Sequence, residues 1–182
     1  ESLDVYILHL KDDVIQIKTE LINSEIGYEE FNTSRLIKEF LSKEGIVYEE
    51  YAKTGVCALI KGKQPDNGKV IAVRADIDAL PLEDKKKCSY ASKIKGRMHG
   101  CGHDGHTSIL LGVAKLINRN RDIFGGTVKL IFEPAEETTG GAKVMIRSSS
   151  LTVNLLPSTN INKSISLSGR ASPRASLPYK MA

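Results

Sequence analysis

The sequence predicts an α/β fold. An uninterrupted apolar run at 70–73 and a mostly apolar run at 128–132, broken by Lys129, read as strands, and each is followed closely by acidic residues. Between them Ile109, Leu110, Val113, Leu116 and Ile117 repeat at helical spacing, and after the second run Gly140-Gly141 leads into a short helix. Strand, loop, helix, strand, helix is the alternation from which α/β sheets are built. At 182 residues the chain is long enough for one ordinary domain with its own core.

The elements follow in order. A first helix is expected over 3–22, where Ile7, Leu10, Val14, Ile15, Ile17 and Leu21 lie close to helical spacing. Asn32 or Thr33 can cap a second helix with Leu36, Ile37, Phe40 and Leu41 on its apolar face and its end near Gly45. Residues 46–51 predict a short strand. The runs 56–61 and 69–74 flank Pro65-Asp66-Asn67-Gly68, a turn cluster that predicts a hairpin. The continuous Val70-Ile71-Ala72-Val73 predicts a strand buried on both faces. The helix carrying Ile109 is expected to start just after 98–107, with a strand over 128–132 and a helix over 142–146.

Residues 148–182 differ in kind. They hold nine serines, three prolines and no acid, without sustained periodicity. Such a composition buries too little apolar surface to offset ordering entropy, so a disordered tail is expected outside a domain of residues 1–147. The net charge of +4 resides in that tail, on Lys163, Arg170, Arg174 and Lys180. The body is neutral and has no basic stripe with interleaved aromatics, which argues against a nucleic-acid partner. No apolar run approaches the ~20 residues of a membrane span. Residues 3–10 are broken by Asp4 and His9 and lack a basic start, so no signal peptide is expected. Cys57, Cys88 and Cys101 form no even framework, and a cytoplasmic setting follows.

The chemistry concentrates in Met98-His99-Gly100-Cys101-Gly102-His103-Asp104-Gly105-His106-Thr107. Thiol and imidazole at this density suit Zn, Mn, Co or Ni better than Mg or Ca. Cys101 and His103, alternating on a glycine-flanked loop, can face one ion; His103 and His106, three apart, are a rival pair. The bland reading is a buried cysteine with a structural histidine. Glu136-Glu137 follows the 128–132 strand, and adjacent carboxylates repel unless a cation or proton relieves them. One can ligate a metal while the other acts as general base, or both can be acids at a helix N-terminus. Glu133 is expected to point elsewhere. Asp76 and Asp78, two apart, share a side if extended; one can ligate and the other orient a ligand, or both can serve the turn before Pro81. Two of these clusters follow strand ends, where open α/β sheets place ligands.

Together, residues 74–81, 98–107 and 132–137 resemble the signatures of metal-dependent N-acyl-amino-acid amidohydrolases. That family includes hippurate hydrolase, auxin-conjugate hydrolases and N-acetyldiaminopimelate deacetylase, within the aminoacylase and carboxypeptidase group of metallopeptidases. Ile26-Gly27-Tyr28-Glu29-Glu30-Phe31 and Lys53-Thr54-Gly55-Val56 resemble its N-terminal portion. The resemblance spans about residues 5–146. It implies helices flanking a mixed, largely parallel sheet, and hydrolysis of the amide bond of N-acyl amino acids or small peptide-like conjugates. Cys101, His103 and Glu137 would be metal ligands, Glu136 the general base and later proton donor, and Asp78 the aspartate supporting the centre. Two ions of Mn, Zn, Co or Ni are usual in the family.

The chain departs from the pattern too. The family has two further histidine ligands, and no histidine follows His106 here. No counterpart of its dimerisation and lid domain is expected. The match stops near Arg147, where composition also changes, so a disrupted reading frame is expected there and the metal site is expected to be incomplete. The alternative to catalysis is an inactive truncated remnant or a metal-binding fragment.

Overall fold

The computed structural model describes residues 11, 12, 14–17, 21, 23–138 and 140–148. Of the helix expected over 3–22, residues 11, 12 and 14–17 are helical, Leu21 is a buried turn residue, and the rest lie outside the described residues. The tail from 149 onward lies outside them as well. The main elements are helix α1 (Phe31–Lys43), strands β1 (Val47–Tyr51), β2 (Gly55–Lys61) and β3 (Val70–Asp76), helix α2 (His103–Arg119), strand β4 (Thr127–Glu133) and helix α3 (Gly141–Ser148).

Helix α1 buries Ile37 and Leu41, four apart on one face. Its start is not capped by Asn32 or Thr33. Glu25 reaches in from seven and eight residues away, and its carboxylate accepts from Asn32 N (3.0 Å) and Thr33 N (2.9 Å). A carboxylate here also complements the positive end of the helix dipole. The helix ends at Lys43, and Gly45 takes the left-handed φ of 68° that releases the chain into β1.

The sheet order is β1-β2-β4-β3. Strands β1 and β2 form the antiparallel hairpin, closed through Ala52 and Lys53 at positive φ. The hairpin expected between β2 and β3 is not present: β4 inserts between them, antiparallel to β2 and parallel to β3. The sheet is therefore mixed, as expected, but its parallel character is confined to the β3–β4 pair. Apolar continuity identifies a strand without naming its partner. Nor is β3 buried on both faces, since Ile71 is 64% exposed. Among the described residues β3 has a single paired side, whereas β4, with Leu130 and Phe132 fully buried, takes the interior position.

Alternation along the strands divides the packing. Val56, Ala58, Leu130 and Phe132 join Ile37, Leu41 and Leu111 in the main core with α1 and α2. The intervening Cys57 and Ile131 pack with Met145 of α3 on the other face. Helices thus flank both faces. The parallel register ends with Asp76 opposite Glu133, so the carboxyl ends of β3 and β4 lie side by side. Their following loops leave from the same edge.

Candidate metal centre

Past β3 the chain stays extended. Ile77 N donates to Glu133 O (3.0 Å) and Ala79 N to Glu25 O (2.7 Å), so Asp78 is held between two backbone contacts. Asp78 is almost completely buried. Helix α2 begins inside the glycine-rich motif, with Gly102 at φ 85° turning the chain into His103.

His103 is also buried, and its Nδ1 lies 2.9 Å from Asp78 O and 3.1 Å from Asp78 Oδ1. Both neighbours are acceptors, which assigns the proton of the neutral ring to Nδ1 and leaves the Nε2 lone pair for a ligand. Nε2 lies 3.6 Å from Asp76 Oδ2 and 3.7 Å from Glu137 Oε1. The second Asp78 oxygen accepts from Glu137 N at 3.0 Å. One buried aspartate therefore orients both the imidazole and the glutamate backbone. Asp76 and Asp78 do share a side, and His103 stands between them.

Ligand atoms of Cys101, His103 and Glu137 lie within 4.8 Å of one another. Thiolate, imidazole and carboxylate on a partly open rim suit a borderline divalent transition metal, so the donor set fits such an ion. Asp76, His103 and His106 form a second group at the same spacing, with His106 Nδ1 2.5 Å from Asp76 Oδ1. With Nδ1 held by Asp78, His103 has one nitrogen to offer, so it can serve only one group at a time.

The site is electrostatically coupled. Burial opposes charge on His103, but the Asp78 hydrogen bond and the Asp76 carboxylate prevail and raise its pKa to about 9. The Cys101 thiol is raised to about 11 by its hydrogen bond to Glu137, with further contributions from burial and the charges of Glu137, Glu136 and Asp76. Burial would raise Asp76, yet the hydrogen bond from His106 and the neighbouring imidazoles bring it below the ordinary aspartate value. Glu136 is raised by burial and by the charge of Glu137, against the pull of Arg74. A cation among these groups would displace protons from Cys101 and His103.

Glu136 and Glu137 lie in a turn ahead of α3 and not in its first turn, where no acid occurs. The turn opens at Ala135, a non-glycine residue at φ 52°, and Gly140 N donates back to Ala135 O (3.1 Å). Gly141 then packs so closely that a Cβ there would lie 1.7 Å from Pro134 O. Glu133 does point elsewhere: it pairs with Arg74 and accepts from Ala142 N (2.7 Å) at the start of α3.

Arg74 is a site residue that sequence reasoning passed over. Its guanidinium lies 3.0 Å from Asp76 and 3.8 Å from Glu136. Period-two spacing from Asp76 on one strand was the available signal.

Residues 72–170 match the model for peptidase family M20/M25/M40, more than half of the chain. The chain belongs to this family. The M20 match continues past Arg147, where the composition changes. Thermostable carboxypeptidase 2 of Saccharolobus solfataricus is 45% identical over 151 residues, covering 80% of this chain and 38% of that protein. N-acetyl-L-cysteine deacetylase of Bacillus subtilis is 46% identical over 153 residues, 83% and 36% of the two chains. An IAA-amino acid hydrolase of Arabidopsis thaliana is 45% identical over 130 residues, 71% and 27%. Among solved structures, a dinuclear metal-binding peptidase of the M20 family from Bacillus subtilis superposes with a TM-score of 0.74 at 40% identity, covering 79% of this chain and 40% of that one. The fold is that of part of an M20 catalytic domain, and the chain spans well under half the length of these relatives. No helix among the described residues is long and apolar enough to cross a membrane.

Proposed function

We propose that this chain carries the centre of a metal-dependent amidohydrolase acting on N-acyl amino acids or small peptide-like conjugates. The observation that carries the reading is the convergence of Cys101, His103 and Glu137 within 4.8 Å, with Glu136 next to Glu137. Relatives named as an acetylcysteine deacetylase and an auxin-conjugate hydrolase support the substrate class. The free thiols of Cys57, Cys88 and Cys101 fit a reducing, cytoplasmic setting.

Cys101, His103 and Glu137 would hold the ion. A bound Mn, Zn, Co or Ni ion supplies Lewis-acid polarisation of the amide carbonyl and a lowered pKa for water. Asp78 keeps the His103 proton on Nδ1 so that Nε2 stays a donor of electrons. The carboxylate of Glu136 takes a proton from the attacking water and delivers it to the nitrogen of the leaving amine as the C–N bond breaks. Burial and the charge of Glu137 raise its proton affinity, which suits a base that must later act as an acid. Arg74 limits that rise.

Elemental analysis and turnover of an N-acetyl amino acid test the reading. Weak metal binding that is lost in Cys101→Ala, with the residual turnover abolished by Glu136→Ala, is the expected result. Metal without turnover would reduce the chain to a metal-binding fragment, and neither would leave an inert remnant.

A further inference from the structure

Glu30 lies outside the metal centre, completely buried at the entry to α1. Its carboxylate accepts from Thr54 Oγ1 at 2.6 Å and, across 105 residues of sequence, from Ala135 N at 2.8 Å. Ala135 is itself fully buried and holds the left-handed φ of 52°, a region that a Cβ makes unfavourable. It immediately precedes Glu136 and Glu137.

The surrounding chain is built around the same contact. Gly27 has no side chain, and a Cβ there would lie 2.9 Å from Ala135 Cβ and 2.6 Å from Thr138 Oγ1. The segment 25–30 therefore lies against the 135–138 turn. The same segment supplies the Glu25 carbonyl that accepts from Ala79 N, next to Asp78. One stretch of chain braces both carboxylate-bearing loops.

We infer that Glu30 is a positioning residue: its bond to Ala135 N holds the left-handed turn that aims Glu136 and Glu137. This rests on the functional reading above. A burial role alone would require only a side chain that fills the space, whereas the inferred role requires an acceptor at that point. Glu30→Gln keeps volume and an acceptor oxygen; Glu30→Met keeps volume and removes the acceptor.

The test uses the full chain, with melting curves to establish folding at the assay temperature. In the metal-free protein, hydrogen–deuterium exchange over 133–140 is expected to accelerate in Glu30→Met and to stay near wild type in Glu30→Gln. Co²⁺ affinity is expected to fall about tenfold in Glu30→Met, the scale seen when groups supporting metal ligands are removed. Turnover should fall in kcat more than in KM. Adding Ala135→Gly to Glu30→Met should restore part of the Co²⁺ affinity, because glycine adopts the left-handed turn without a Cβ penalty. Folded Glu30→Met with wild-type exchange and affinity overturns the inference, as does a double variant no better than the single one. If Glu30→Met does not fold, Thr54→Val, which removes one of the two donors that fix the buried carboxylate, should still accelerate exchange over 133–140 and lose about fivefold in affinity, the weight of one ordinary hydrogen bond; unchanged exchange together with unchanged affinity overturns the inference. A wild-type chain that neither binds Co²⁺ nor turns over substrate defeats the functional reading instead, and the exchange measurement on metal-free protein still decides the Glu30–Ala135 contact.

Discussion

The back of the candidate metal centre and its rim are built differently. At the back, Asp78 and His103 are buried and hydrogen-bonded at 2.9–3.1 Å, and Glu30, outside the centre, is likewise buried and bonded at 2.6 and 2.8 Å. At the rim, Cys101 is exposed, and the side chains of Glu136 and His106 are 37% and 52% exposed. The back fixes direction and the rim presents reactive atoms. Protons respond accordingly: the buried imidazole is held charged by two aspartates, whereas the rim thiol is kept protonated by the carboxylates around it.

The largest test of this division is Glu136→Gln in metal-loaded protein. A rim base should lose turnover by roughly 10²–10⁴-fold while metal content measured by elemental analysis stays unchanged. Parallel loss of metal would assign Glu136 to the ligand set and blur the contrast. Next, Asp78→Ala should weaken Co²⁺ or Mn²⁺ binding by about 10–100-fold, measured by competition with a chromogenic chelator, although Asp78 belongs to neither group of candidate ligands. Undiminished affinity would show that the back does not orient the rim.

The pH response comes third. His103 carries a folded pKa of about 9 against an ordinary 6.5, so its contribution to metal-free stability is complete below about pH 6.5 and is lost as pH rises through about 9. Metal binding runs oppositely, because the ion displaces protons from His103 and Cys101. Its affinity should rise between pH 6 and 9, by about a hundredfold per unit while both groups start protonated and two protons are displaced. A chelator titration across that range checks it, and a flat profile would mean that neither group is a ligand. The smallest effect is expected from Cys101→Ser in metal-free protein: melting should shift by no more than about 0.5 kcal/mol, since an exposed thiol supports no core. A large shift would move Cys101 from rim to back.

The same division explains what could be read from the chain alone. Helices α1 and α2 and strand β4 were legible because Ile37, Leu41, Leu110 and Leu130 are local records of burial. Cys101 and His103 stood out as candidates because thiol and imidazole are uncommon in such density, whereas Glu137 was separated from Glu136 only by the family resemblance. Strand partnership was not, since nothing in Val70-Ile71-Ala72-Val73 says that β4 arrives between it and β2. Capping by Glu25 and the bond from Ala135 to Glu30 were equally hidden, because carboxylates at a distance leave no periodic trace. Reactive groups announce themselves by type, whereas the groups that aim them are ordinary residues whose role exists only in three dimensions.

Gly141 carries that lesson to its limit. With 1.7 Å between a would-be Cβ and Pro134 O, even alanine would force α3 away from the Glu136-Glu137 turn or move both together. In a saturation screen scored on hydrolysis, position 141 should therefore tolerate replacements as poorly as the acids themselves, although it has no functional group to lose. The part of the sequence that shapes the candidate site extends to a residue whose contribution is empty space.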